Sequence, residues 1–320
     1  MGARAHVLRV AVVGLLALTA GLPAVPAAMA AVPAADRDVV VPVVTVDAPA
    51  SRGRNGIVEI RLGDRAPIRV MLDTGSVGLR IFPGGWDGPV ADGLASAPFT
   101  IGGVRSVGRL TFQVAASTNP YLDAWAAQGV VGILGVGMGR SPLVNPLTTL
   151  PGDLGRRWSV HLDRRSGDDS SRVGRLVLGA VVPADAQATF RVPSAGTSSA
   201  GVPLWADHRA QACWSFGTAR PVCADTWFDS GFHLLRVAGR PFAGIPTVRG
   251  SGRVDVGTVV RMGAVGAAFT PWRVVAGREP SRNAVVLFSP RGDASVNTGN
   301  AVYFDHTLTY DVDRGLIALS

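Results

Sequence analysis

Lysine is absent from this chain of 320 residues, so all 31 of its lysine or arginine residues are arginine. This absence excludes Schiff-base chemistry, a Ser-Lys dyad, a Walker-type lysine and a kinase-type lysine. Glutamate is nearly absent as well, because Glu59 and Glu279 are the only two among 23 acidic residues. Any carboxylate chemistry in this protein is therefore aspartate chemistry.

Beyond the N-terminus, no apolar run is long enough to span a bilayer. At the N-terminus, Arg4 and Arg9 precede an apolar stretch over residues 10–22 and the small residues AMA at 28–30. This order predicts a secretory signal peptide over residues 1–30, cleaved after Ala30. We therefore expect a secreted protein without a membrane anchor. About twenty residues then precede the first recognisable hairpin, too few for a long inhibitory prosegment.

Cysteine is almost absent too. Cys213 and Cys223 are the only two, with nine residues between them. In an exported chain such a pair most often forms a local disulfide. The alternative is a metal site that recruits His208, His233 or His306, but no recognised ligand spacing supports it. We expect a disulfide, no metal and no cofactor.

The remaining composition is that of a globular, turn-rich chain. Hydrophobic residues make up 47%, and there are 40 glycines and 22 prolines, which excludes a disordered chain. The net charge of +8 comes from arginines scattered along the sequence. Because they form no cluster, a nucleic-acid-binding patch is not expected.

Short, mostly valine-rich runs that end at turn residues predict β-strands. Helical periodicity is nearly absent, and short helices are predicted only over Asn119–Gln128 and Asn145–Arg157. The sequence therefore predicts an all-β protein. The predicted strands are Val39–Val46, Gly56–Leu62, Ile68–Leu72, Arg109–Ala115, Arg175–Leu178 and Val285–Phe288.

An internal repeat links the two halves of the chain. VMLDTGSVGLRIF at 70–82 aligns without gaps with TWFDSGFHLLRVA at 226–238, an offset of 229 − 73 = 156 residues. Each segment leads from an apolar strand to an Asp-Thr/Ser-Gly triplet and then a Leu-Arg pair. One such triplet is a common turn, because Asp bonds nearby backbone and Gly accepts positive φ. The repeated triplet predicts a duplicated half-domain that brings Asp73 and Asp229 together across one axis.

These segments resemble the pepsin-like aspartic peptidase family. The stretch from Asn55 to Phe82 resembles the family's opening hairpin and first catalytic loop, and Ile133-Leu134-Gly135 resembles the segment that closes that loop. WSVHL at 158–162, GRLVLG at 174–179 and the C-terminal GNAVYFDHTLTYDVDRGLIALS resemble later strands, with Tyr310-Asp311 at the family's aromatic-Asp pair. The resemblance covers most of residues 38–320.

The resemblance implies a bilobal fold of two pseudo-symmetric β-lobes with few short helices. The N-terminal lobe would span residues 31–190 and the C-terminal lobe residues 191–320, with the Ser/Gly-rich VPSAGTSSAG at the crossing. It further implies a monomeric, secreted aspartic endopeptidase that binds a polypeptide in the cleft between the lobes.

The resemblance also assigns roles to the residues of the two loops. Asp73 and Asp229 would activate one water between them and share one proton, because two like charges at this distance cannot both ionise. The supporting residues would be Thr74 and Ser230, which bond across the axis, Gly75 and Gly231, which offer backbone N–H groups, and Ser76 beside the first carboxylate.

The first lobe departs from the family pattern at its flap. The family carries a flap tyrosine, whereas no tyrosine lies between Asp73 and Asn119. Phe99, next to a possible Gly102-Gly103 turn, is the expected stand-in. Arg80 occupies the place where relatives usually have tryptophan, the usual partner of that tyrosine.

The second lobe departs from the pattern beside its aspartate. Phe232 replaces the hydroxyl residue that normally bonds the carboxylate, and the closing segment is reduced to Asn297-Thr298-Gly299. Loss of a hydrogen bond and a drier site both raise a carboxylate pKa. We therefore expect the acidic limb of the pH profile to lie higher than in typical relatives. His233 is the one histidine expected near the site.

These departures keep a second function open, that of a catalytically impaired pepsin-fold binding or inhibitor protein. Other classes fit less well. A two-carboxylate glycosidase would need a sugar-stacking aromatic cluster, and a serine hydrolase of the elbow type would need Gly-x-Ser-x-Gly. The glycines at 132–139 suggest a nucleotide loop, but Arg140 stands where the dinucleotide pattern requires its last glycine.

Overall fold

The computed structural model describes residues 38–49, 53–115, 120–164, 174–267, 271–277 and 286–320, so the predicted signal peptide lies outside the described residues. The described chain is almost entirely strand. The strands are β1 (Val39–Asp47), β2 (Arg54–Leu62), β3 (Ile68–Asp73), β4 (Val77–Ile81), β5 (Leu94–Ile101), β6 (Val104–Val114), β7 (Val130–Val136), β8 (Arg157–His161), β9 (Gly174–Leu178), β10 (Ala188–Arg191), β11 (Ser194–Thr197), β12 (Pro203–Trp205), β13 (Ala210–Phe216), β14 (Val222–Trp227), β15 (Leu235–Ala238), β16 (Val259–Ala264), β17 (Trp272–Val275), β18 (Val286–Ser289), β19 (Ser295–Asn297), β20 (Leu308–Asp311) and β21 (Leu316–Leu319).

Helical structure is short and sparse. The helix predicted over Asn119–Gln128 is present as α1, Pro120–Ala126. The helix predicted over Asn145–Arg157 is wrong, because that segment forms two separate 3-10 turns before β8 begins. Pro151 explains the break, since a residue before proline is driven out of the helical region and Leu150 is extended. The 3-10 turns of the described chain are Pro146–Thr149, Gly152–Gly155, Asp207–Arg209, Arg240–Phe242 and Ala301–Phe304.

Twelve strands form one sheet in the order β10-β21-β20-β8-β9-β1-β2-β3-β7-β4-β6-β5. Because β2 also pairs with β5, the six strands from β2 to β5 close on themselves around the core of the first lobe. Strands β20 and β21 from the C-terminus join β8 and β10, so the sheet contains both halves of the chain. The predicted boundary at residue 190 falls within β10.

The second lobe contains a seven-stranded sheet in the order β17-β16-β13-β14-β19-β15-β18, and β11 pairs with β12 separately. Its core is built on aromatic residues that are fully buried, where each large side chain contributes about 1.5–3 kcal/mol. Trp214 packs edge-on against Trp272 and stacks on Phe216.

The same three-strand arrangement positions each aspartate loop. In the first lobe β7 lies between β3, to which it is parallel, and β4, to which it is antiparallel. In the second lobe β19 lies between β14, to which it is parallel, and β15, to which it is antiparallel. The aspartate loops connect β3 to β4 and β14 to β15. The predicted all-β, two-lobed, pseudo-symmetric architecture is confirmed.

Phe99 is wrongly predicted as a flap residue. It lies in β5 opposite Leu62 and is fully buried in the core of the first lobe. A Cβ on Gly102, at the turn that follows β5, would meet Val41 and Val39 of β1. The ring cannot close over a substrate, because burial in the core fixes it there.

The predicted disulfide between Cys213 and Cys223 is present. The two residues lie directly opposite each other on the neighbouring strands β13 and β14. Neither sulfur is therefore available as a thiolate ligand. In the described part of the chain, every helix is too short or too polar to cross a membrane.

Candidate active site

Asp73 is the last residue of β3, and its carboxylate is held by its own loop. The backbone N–H of Gly75 donates to Oδ1 at 2.8 Å, and the hydroxyl of Ser76 donates to Oδ2 at 2.5 Å. Asp73 as a residue is half-buried. These two bonds occupy one oxygen each and fix the orientation of the carboxylate.

Asp229 follows β14 and receives three hydrogen bonds. The backbone N–H groups of Gly231 and Phe232 donate to Oδ1, each at 3.1 Å. The side-chain amide of Asn297, at the end of β19, donates to Oδ2 at 2.7 Å. Asp229 is buried, with 8% of its surface exposed. Asn297 belongs to the segment in which sequence comparison saw only a reduced motif.

Reciprocal hydrogen bonds join the two loops. The N–H of Thr74 donates to Oγ of Ser230 at 3.0 Å, and the N–H of Ser230 donates to Oγ1 of Thr74 at 2.9 Å. The two hydroxyls then donate to the carbonyls of Phe228 and Leu72, both at 2.9 Å. All four bonds cross between the lobes. They form two equivalent pairs, because Thr74 and Leu72 correspond to Ser230 and Phe228 at the offset of 156 residues.

Two buried tyrosines extend this network. Oγ1 of Thr74 lies 2.7 Å from the hydroxyl of Tyr303, which in turn bonds the hydroxyl of Tyr310. Because Thr74 gives its single proton to Phe228, Tyr303 must donate to Thr74. Burial raises the pKa of both tyrosines, so they stay neutral donors. Sequence analysis found Tyr310 only as part of a C-terminal resemblance and missed Tyr303.

Each carboxylate lies against the glycine of the opposite loop. A Cβ on Gly231 would lie 2.5 Å from Cγ of Asp73, and a Cβ on Gly75 would overlap the carboxylate of Asp229. Any other residue at these two positions would push the aspartates aside. The structure therefore brings Asp73 and Asp229 together with all five predicted supporting residues, which are Thr74, Gly75, Ser76, Ser230 and Gly231.

The electrostatics of the pair are asymmetric. Burial, and next the nearby negative charge of Asp73, raise the pKa of Asp229 to about 7, while the hydrogen bond from Asn297 opposes the rise. Burial and the neighbouring charge therefore both favour the protonated form of Asp229. One proton on one of two adjacent carboxyls is the state that removes their mutual repulsion.

A cavity of about 380 Å³ opens beside the first loop, between the two lobes. Its lining includes Gly75 and Ser76 of the first loop, together with His208 and the exposed residue Trp227. Arg80 also lines it, at the position where the family resemblance placed a tryptophan. The cavity is large enough for one amino-acid side chain.

His233 lies in the second loop, as expected, and its ring packs against Gly53. A Cβ on Gly53 would overlap its ring, and burial lowers its pKa. Within the residues that the structure describes, no group of three or more His, Cys, Asp or Glu side chains is arranged to hold a metal ion.

Asp207 is a buried acid that sequence analysis missed. Its Oδ2 accepts the backbone N–H of Met138 at 2.5 Å, and burial raises its pKa to about 6. A carboxyl that binds its proton more tightly when folded stabilises the protein below its unfolded pKa of 3.8, and this stability is lost as the pH rises through about 6.

We therefore expect Asp207→Asn to flatten the pH dependence of stability. Asparagine keeps an oxygen for the N–H of Met138 but carries no charge at any pH. From pH 4 to pH 7 the parent should lose about 2 kcal/mol of unfolding free energy that the variant does not lose. Urea unfolding at both pH values measures this. Equal pH dependence of the two proteins would contradict the prediction.

Comparison with known proteins shows which known fold this structure resembles. No protein-family model and no curated protein matches this sequence. The structure is similar to the crystal structure of aspartic proteinase from Irpex lacteus, with a TM-score of 0.55 and 15% sequence identity. The match covers 89% of this chain and 97% of that chain. This similarity, together with the paired aspartate loops, shows that the chain has a pepsin-like fold.

Proposed function

We propose that this protein is a secreted aspartic endopeptidase that hydrolyses peptide bonds with a water activated between Asp73 and Asp229. One observation carries the proposal: each carboxylate lies against the glycine of the other loop, while four cross-lobe hydrogen bonds hold the loops in place. This arrangement keeps two aspartates adjacent with one proton between them, as peptide hydrolysis by an activated water requires.

In this mechanism Asp73 is the base. Ser76 and Gly75 donate hydrogen bonds that stabilise its negative charge. It takes a proton from the water as the oxygen attacks the scissile carbonyl carbon. Asp229, which holds the shared proton, donates a hydrogen bond to the carbonyl oxygen and stabilises the tetrahedral intermediate. The proton removed from the water then passes to the leaving amine as the C–N bond breaks.

The proposed substrate is an extended polypeptide bound across the cleft as far as the cavity at Ser76 and Trp227. Secretion and a monomeric state are part of the same proposal. The N-terminal residues 1–30 and the disulfide between Cys213 and Cys223 support export, since disulfides persist in oxidising compartments.

A second candidate function is that of a binding or inhibitor protein without catalysis. The burial of Phe99 favours it, because this ring is unavailable to cover a bound peptide and exclude water. The retained pair of aspartates favours the enzyme. Fold alone does not decide between them.

The purified protein should hydrolyse an unfolded, reduced and alkylated polypeptide at mildly acidic pH, with internal cleavages identified by mass spectrometry. A statine-type transition-state mimic should raise its melting temperature and inhibit the hydrolysis. A raised melting temperature without hydrolysis would favour the binding protein. If the protein shows neither hydrolysis nor a raised melting temperature, both candidate functions are overturned.

A further inference from the structure

The two aspartate loops differ in the side chain that donates a hydrogen bond to Oδ2 of the aspartate. Ser76 donates its hydroxyl to Oδ2 of Asp73. The equivalent residue at the offset of 156 is Phe232, which has no side-chain donor. Oδ2 of Asp229 is bonded instead by the amide of Asn297, at 2.7 Å.

Strand register identifies the counterpart of Asn297 in the first lobe. Met71 pairs with Ile133 between β3 and β7, and Trp227 pairs with Asn297 between β14 and β19. Met71 and Trp227 are themselves 156 residues apart, so Ile133 and Asn297 occupy equivalent positions. The side chain of Ile133 packs into a small apolar cluster and bonds nothing. The two lobes have therefore exchanged the position of the donor.

The orientation of the Asn297 amide follows from its second hydrogen bond. Its Oδ1 accepts the backbone N–H of Gly299 at 2.8 Å. A backbone N–H can bond only to the oxygen of an amide, so the nitrogen must face Asp229. Asn297 is held at both ends and presents a fixed donor to the carboxylate.

We propose that Asn297 is the positioning residue of Asp229 and performs for that carboxylate the role that Ser76 performs for Asp73. This inference rests on the proposed function and adds to it a residue that positions the second carboxylate. Asn297 fixes Oδ2 of Asp229 and stabilises the ionised form of the carboxylate. The hydroxyl lost at Phe232 is thereby compensated.

The direction of the pKa agrees with this role. The bond from Asn297 lowers the pKa of Asp229 against the larger effects of burial and of Asp73. Tyr303 and Tyr310 also interact electrostatically with Asp229, but burial raises their pKa values and they remain neutral. Asn297 is thus the side chain whose change should move the titration of Asp229 without changing any charge.

The test exchanges the donors between the lobes. Asn297→Ile installs the residue found at the equivalent position of the first lobe, and Phe232→Ser installs the equivalent hydroxyl. Asn297→Ile should raise the upper pH limit of kcat/KM by about one pH unit, since a charge-assisted bond is lost. Phe232→Ser alone should lower that limit. The double variant should return to within about 0.3 pH unit of the parent.

Two further measurements keep the outcomes distinct. Carboxyl ¹³C chemical shifts of Asp229 report its titration in the same four proteins without any activity, so failure of the proposed function leaves this inference testable. Urea unfolding separates a structural effect from a positioning effect. An unchanged titration of Asp229 in Asn297→Ile, or no recovery in a stably folded double variant, would overturn the role of Asn297.

Discussion

Replacing either Asp73 or Asp229 by asparagine is expected to lower kcat/KM for polypeptide hydrolysis by about 10³-fold or more. Each replacement keeps the shape of the side chain and an oxygen for the N–H of Gly75 or Gly231. What it removes is the base in one case and the proton donor in the other. Because the two groups act as one unit, the double variant should be little worse than either single variant.

Asp225→Asn is the matched control for both variants. Asp225 lies on β14, four residues before Asp229 in the sequence. Its carboxylate forms a surface ion pair with Arg209. This change should leave kcat/KM within about twofold, since surface substitutions have small effects. Thermal unfolding should show that all the variants are folded. Full activity in both purified Asp73→Asn and Asp229→Asn would end the proposal of an aspartic peptidase.

Thr74→Val is expected to cause the second largest effect. Valine has the shape of threonine, but it strips hydrogen bonds from the carbonyl of Phe228, the N–H of Ser230 and the hydroxyl of Tyr303. These groups lie at a position where Thr74 is 1% exposed, so water does not replace the lost bonds. The unfolding free energy should fall by about 3 kcal/mol.

Thr74→Ser is the matched control, because it keeps the hydroxyl and removes only a methyl group. It should cost about 1 kcal/mol. Activity should fall in the valine variant even at temperatures where it is folded, since the loops that place the aspartates are held by these bonds. Urea unfolding and kcat/KM measured together check both statements. Equal stability of the two variants would show that the cross-lobe network contributes little.

The strands that sequence predicted are those whose apolar runs end at clear turn residues. The predicted Val39–Val46, Gly56–Leu62 and Ile68–Leu72 differ from β1, β2 and β3 by two residues or fewer at each end. Strand β5, Leu94–Ile101, escaped prediction because alanine, serine and proline are poor strand formers. Its pairing with β6 contains an irregularity between Pro98 and Thr100, as proline cannot donate to a ladder.

The candidate site was predictable wherever the internal repeat was preserved. Asp73 and Asp229 could be found because their loops match at a fixed offset. Asn297 could not, because its role depends on the register between β14 and β19 rather than on any motif. Asp207 and Tyr303 gave no signal either, since burial, the largest cause of their raised pKa values, depends on the tertiary fold.

The surroundings of Phe232 differ from the expectation for the same physical reason. The sequence predicts that Phe232 removes a hydrogen bond from the carboxylate of Asp229, whereas in the structure Asn297 donates a bond to that carboxylate. The pKa of Asp229 is nevertheless raised, mainly by burial. In the proposed mechanism Asp229 is the proton donor, so its raised pKa extends the upper pH limit of activity. The upward displacement of the acidic limb of the pH profile stays a prediction.

The central claim is that Asp73 and Asp229 act on a single water molecule. A high-resolution crystal structure of the protein measures this directly, through the separation of the nearest carboxylate oxygens and the solvent between them. We expect oxygens about 3 Å apart, or joined by one water that bonds both. Oxygens separated by more than about 6.5 Å would contradict the account, because one water cannot bridge them.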